Sequence, residues 1–97
     1  MQEVKKVEII VSSLEVDEVL HILDTIRVSG YTVIKDASGK GERGFSYNDL
    51  GREFSNTYIM TVCTNQKQLF YLVEELLPVL KRIGGVCLVT DSQWLLH

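Results

Sequence analysis

Apolar and polar residues alternate at the start of the chain. In Lys6-Val7-Glu8-Ile9-Ile10-Val11, Val7, Ile9 and Val11 share one side while Glu8 and Ile10 share the other, the period of a β-strand. The period then lengthens: Val16, Val19, Leu20, Leu23 and Ile26 recur at helical spacing up to Gly30, and Ser12 with Glu15 reads as a capping box. A first helix is predicted over roughly 13–28. Tyr31 to Ala37 and Ser55 to Cys63 are rich in β-branched and aromatic residues and predict the next two long strands. Asn65 with Gln68 repeats the capping signal, and Leu69, Phe70, Val73, Leu76, Leu77 and Leu80 read as the buried stripe of a second helix. Pro78 lacks an N–H and is expected to kink that helix or weaken its last turn. Lys81 and Arg82 suit a helix C-terminus, Gly84 a left-handed stop, and Val86 to Val89 a last strand.

The resulting order is β-α-β-β-α-β, which predicts an α+β, ferredoxin-like sandwich as a single domain over residues 1–97. Both helices then cover one face of a four-stranded antiparallel sheet. Yet the strands carry apolar groups on both sides: Val7 against Ile10, Ile59 and Cys63 against Met60 and Val62, Leu88 against Val89. The second face is therefore expected to pack against other subunits.

The connection between the second and third predicted strands, about 38–54, is far longer than a hairpin loop and marks a candidate functional segment. It contains Gly39-Lys40-Gly41-Glu42-Arg43-Gly44, three of the chain's seven glycines and two cations in six residues. Glycines admit close backbone approach and the cations suit phosphate oxygens, so anion cradling, of a nucleotide first of all, is one reading. A loop with solvated charges is the other. The dinucleotide fingerprint is matched in spelling only, because Phe45 to Glu53 lacks the helical period that must follow it. Lys40 is followed by glycine, so a Walker A loop is excluded too.

Composition narrows the classes. With 45% hydrophobic and 24% charged residues the chain is expected to fold, and its net charge of −3 disfavours nonspecific nucleic-acid binding. No apolar run reaches membrane-spanning length, and Met1-Gln2-Glu3 leads into a strand rather than a secretion signal, so a cytoplasmic location is expected. Cys63 and Cys87 sit singly in apolar runs and are expected to be buried, reduced thiols; His21 has no ligand set around it and reads as a surface residue.

With the loop so placed, the chain resembles the PII-like signalling proteins, most of all the SbtB type associated with a cyanobacterial sodium-bicarbonate transporter. The resemblance is carried by Lys6-Val7-Glu8-Ile9, Gly30-Tyr31-Thr32-Val33-Ile34, the glycine hexapeptide, Ser55-Asn56-Thr57-Tyr58 and Gly84-Gly85-Val86-Cys87-Leu88-Val89-Thr90-Asp91, over about 85 residues. It implies a homotrimer with adenine nucleotide (AMP, ADP, ATP or cyclic AMP) in clefts between subunits. It also implies a T-loop, here about 38–54, that docks on a membrane transporter and recruits the protein to the membrane. Position by position, it implies that Gly39, Lys40 and Gly41 approach the nucleotide, Arg43 reaches a phosphate, Gly84, Gly85 and Val86 form the opposing wall, and Thr32 and Val33 pack near the adenine. The loop lacks the glutamine that typical members place beside magnesium and 2-oxoglutarate, so 2-oxoglutarate sensing is not expected. The tail Trp94-Leu95-Leu96-His97 holds no cysteine, so the redox hairpin of some SbtB-like chains is not expected either, and Trp94 reads as an anchor for the tail.

Other classes are weaker. Acylphosphatases share the element order, but Ser12-Ser13-Leu14-Glu15 carries no arginine after the first strand, and no catalytic set appears elsewhere; an enzyme is not expected. An RNA-recognition module needs a basic sheet with exposed aromatics, which Tyr58 alone does not supply. An ACT- or CutA-like small-ligand module without nucleotide is the remaining alternative.

Overall fold

A computed structural model describes residues 1–38, 40–41, 44–45 and 55–97 of the chain. β1 (Gln2–Ser12) leads through a single 3-10 turn, Ser13–Glu15, into α1 (Val16–Thr25) and β2 (Tyr31–Ala37). Two short strands, β3 (Lys40–Gly41) and β4 (Gly44–Phe45), pair with each other, and β5 (Asn56–Cys63), α2 (Gln66–Ile83) and β6 (Val86–Trp94) complete the chain. The four long strands form one antiparallel sheet in the order β2-β5-β1-β6. This is the ferredoxin-like α+β arrangement that the hydrophobic pattern predicts. β1 and β6 exceed their predicted lengths because they pair along their whole length, from Ile10 opposite Val86 to Gln2 opposite Trp94, carrying polar residues into the ladder.

Period two sorts the side chains. Val7, Ile9, Val11, Ile59 and Cys63 turn towards the helices and meet Val19, Leu23, Leu72 and Leu76, all buried. Thr61 is buried among them because its hydroxyl donates to the Gly30 carbonyl at 2.7 Å. Ile10, Met60 and Val62 turn the other way, with Ile34 and Leu88, which remain 54% and 53% exposed. No element of the described chain covers that second face.

Three local expectations are corrected. The Ser12 hydroxyl accepts from the Leu14 N–H at 3.3 Å and so caps the 3-10 turn; α1 starts only at Val16, with no side-chain bond from Glu15. It ends at Thr25, short of the expected end near residue 28, because Arg27 turns left-handed at φ 62° and its N–H bonds the Asp24 carbonyl. In α2 the buried stripe is Leu72, Leu76 and Val79, flanked by partly buried Leu69, Leu80 and Ile83, while Phe70, Val73 and Leu77 face outwards. Apolar residues occupy so much of this helix that two stripes fit the same period, and only contact with the sheet and α1 selects one. Pro78 does not end the helix, which runs on to Ile83. An internal proline costs about 3 kcal/mol, whereas burial of Leu76 and Val79 on either side of it returns about 1.5–3 kcal/mol each.

Candidate functional site

The register of the sheet brings four segments to one end. Ser12, the last residue of β1, lies opposite Asn56, the first of β5; Ala37, the last of β2, also lies opposite Asn56; and β6 begins where Val86 meets Ile10. The foot of segment 38–54, the Ser13–Glu15 turn and the Gly84-Gly85 turn therefore share this end.

Each predicted site residue has a definite place in this frame, or lies outside it. Gly84 closes α2 in the left-handed region, φ 83°, with its N–H donating to the Leu80 carbonyl at 2.7 Å. Gly85 is required for close approach: a Cβ there would stand 2.7 Å from the Ile10 carbonyl oxygen and 2.7 Å from Val11 Cγ1. Val86 opens β6 with its side chain half-exposed on the uncovered face. Thr32 lies on that same face, opposite Met60, whereas Val33 turns to the other face and packs against the core. Lys40 and Gly41 form β3, opposite Phe45 and Gly44 of β4. Gly39 and Arg43, and most of the predicted T-loop, lie outside the described residues.

Among the described site residues, Thr32 and Val86 stand apart in one chain. Thr32 belongs to β2, at one edge of the sheet, and Val86 to β6, at the other, with β5 and β1 between them. At about 4.8 Å per strand the separation is about 14 Å.

A cluster absent from the predicted site stands at the loop foot. Asp36 is left-handed, φ 59°, inside a register shift between Ile34 and Ala37 that gives β2 one extra residue. Ser55 Oγ donates to Asp36 Oδ1 at 3.1 Å and lies 3.0 Å from Ser13 Oγ, which lies 2.7 Å from Thr57 Oγ1. The only sequence signal is the pair of small hydroxyl residues Ser12-Ser13 and the matching Ser55, which read as cap and strand edge.

Electrostatics elsewhere are those of a stable scaffold. Burial pushes the Cys63 thiol up, and burial with the nearby Cys63 does the same for Cys87, so neither is an activated nucleophile. An open depression lined by Lys5, Cys63, Asn65 and Asp91 lies at the opposite end of the sheet, with Lys5 already paired to Asp91. Among the described residues no three His, Cys, Asp or Glu side chains are grouped to hold a metal ion, and no helix is long and apolar enough to cross a membrane.

Solved structures share this fold. A structure of CPII, a nitrogen regulatory PII-like protein from Thiomonas intermedia K12 bound to ADP, AMP and bicarbonate, superposes with a TM-score of 0.84 at 28% identity, covering 95% of this chain and 88% of that one. The apo form of the same protein gives 0.77 at 26% identity, covering 95% and 91%. A PII-like signalling protein from Thermus thermophilus shares the fold, TM-score 0.75, at 16% identity over 97% and 91%. No curated protein matches the chain in sequence. The family described as Nitrogen regulatory protein P-II matches residues 4–95, nearly the whole four-stranded sheet and both helices, and the chain belongs to that family of signalling proteins.

Proposed function

We propose that this protein is a sensor of adenine nucleotides that works as a homotrimer. One edge of each chain supplies Thr32, Val33, Gly39, Lys40, Gly41 and Arg43, and the neighbouring chain supplies Gly84, Gly85 and Val86. The observation that carries this reading is the separation of the two groups to opposite edges of one sheet, beside an uncovered apolar face, in a chain similar to CPII bound to ADP, AMP and bicarbonate. Packing Ile10, Met60, Val62 and Leu88 against their copies closes the edges into clefts and removes apolar surface from water.

Lys40 and Arg43 then bind phosphate, each contact worth about 1.5–3 kcal/mol. Bound nucleotide biases the segment 38–54 only by its differential affinity for that segment's states, so nucleotides differing in phosphate number can act in opposite senses. The output is a changed affinity for a membrane transporter, of the bicarbonate kind that SbtB-type proteins serve. Bicarbonate is itself a candidate co-effector, since it is bound in CPII.

The test is light scattering joined to calorimetric titration with AMP, ADP, ATP and cyclic AMP, with and without bicarbonate, and with GTP as control. A trimer mass with one adenine site per chain, weakened about 10- to 150-fold by Lys40→Ala or Arg43→Ala, is expected. A monomer mass overturns the shared site; a trimer indifferent to every adenine nucleotide overturns the sensor.

A further inference from the structure

Proton counting fixes the direction of the hydrogen-bond chain at the loop foot. Ser55 Oγ donates to Asp36 Oδ1 and so spends its single proton there. Ser13 must then donate to Ser55, and Thr57 to Ser13. A carboxylate on β2 is thus wired through two serines to a threonine only 1% exposed in the core of β5. The Ser13 N–H adds a 2.7 Å bond to the Ser55 carbonyl, tying the turn after β1 to the same point. Such a directed chain is stronger than its separate links.

The backbone explains why Asp stands at position 36. One extra residue bulges β2 between Ile34 and Ala37, and the left-handed φ of 59° tolerates Gly, Asn or Asp best. Glycine would relieve the backbone more fully than aspartate. What aspartate adds is the acceptor for Ser55.

We propose that Asp36, Ser55, Ser13 and Thr57 form a latch holding Ala37 and Ser55 in fixed relation to the sheet, and that Asp36 is a positioning residue for the nucleotide site beyond them. The second half rests on the nucleotide reading above. A foot ordered before the ligand arrives need not be ordered by it, which preserves affinity, and linkage requires that nucleotide tighten the latch in return.

The experiment compares Asp36→Gly, Asp36→Asn and Ser13→Ala with wild type in two measurements. Hydrogen exchange at the Ser13 amide and across residues 55–57 reads the latch, and AMP and ADP titrations read the site. Asp36→Gly is expected to speed exchange and to weaken binding about 2- to 10-fold without lowering the melting temperature. Asp36→Asn, which keeps both the acceptor and the left-handed tolerance, should restore both readings. Ser13→Ala should speed exchange at residues 55–57, and saturating nucleotide should slow it in wild type. Unchanged exchange in Asp36→Gly and Ser13→Ala overturns the latch. Faster exchange with unchanged affinity overturns the positioning role. A wild type that binds no adenine nucleotide overturns the sensor and the positioning role with it, while the exchange data still decide the latch.

Discussion

The Tyr58 hydroxyl donates a 2.6 Å hydrogen bond to the Glu8 carboxylate, diagonally across β5 and β1 on the face that the helices leave bare. Lys6 stands 3.9 Å from the same carboxylate. The bond to Glu8, followed by desolvation and the Glu8 charge, holds the Tyr58 phenol above its ordinary value of 10.0. The neutral phenol is favoured in the fold, so its contribution to stability is complete below pH 10 and fades as pH rises through the higher folded value. Denaturant unfolding at neutral and alkaline pH should show this loss in wild type and not in Tyr58→Phe, which should itself be about 1 kcal/mol less stable at neutral pH.

The paired glycines after α2 separate two kinds of requirement. Gly84→Ala forces an L side chain into the left-handed region and should cost about 1–2 kcal/mol. Gly85→Ala drives a methyl into the Ile10 carbonyl and Val11, neither of which is the far end of a flexible chain, and should cost about 1–3 kcal/mol with a lower melting temperature. Gly84→Asn should be tolerated better than Gly84→Ala, whereas no residue larger than glycine should restore position 85. Thermal melts of the three variants check the order.

Gln68 uses both ends of its amide. Its Oε1 accepts from the Thr64 N–H at 3.0 Å and its Nε2 donates to the Arg27 carbonyl at 3.2 Å, while its own N–H donates to Asn65 Oδ1 at 2.8 Å. One side chain therefore caps α2 and holds the chain leaving α1. Gln68→Glu keeps the acceptor but sets a carboxylate against a carbonyl, so it should be at least as damaging as Gln68→Ala, at about 1–2 kcal/mol by chemical denaturation.

Cys63 is fully buried and Cys87 partly so, both thiols being held above the ordinary 9.0 by burial first. A thiol reagent at neutral pH should react slowly with the native protein and stoichiometrically with two cysteines after denaturation. Rapid native labelling of Cys63 would contradict its place in the core. Cys63→Ser puts a hydroxyl into that apolar site and should destabilise by about 1–3 kcal/mol if it finds no partner.

The alternation around Val7, Ile9 and Val11, the helical spacing of Val19 and Leu23, and the Asn65 and Gly84 signals determine the element order, the α+β class and one buried face of the sheet. These are local regularities, and local sterics and capping chemistry enforce them wherever the chain lies. The left-handed stop at Gly84 was legible for the same reason. Of the predicted α2 stripe, Leu69, Leu76 and Leu80 meet the core, but Phe70, Val73 and Leu77 satisfy the helical period equally and face outwards, and Leu72 and Val79 take their place because the choice belongs to the sheet and α1. Not legible were the end of α1 at Thr25, ahead of the expected end near residue 28, and the union of Asp36, Ser55, Ser13 and Thr57, residues 19 to 44 apart for the bonded pairs. Only the antiparallel register decides which distant residues share an end of the sheet, and the strand order β2-β5-β1-β6 sends Thr32 and Val86 to opposite edges.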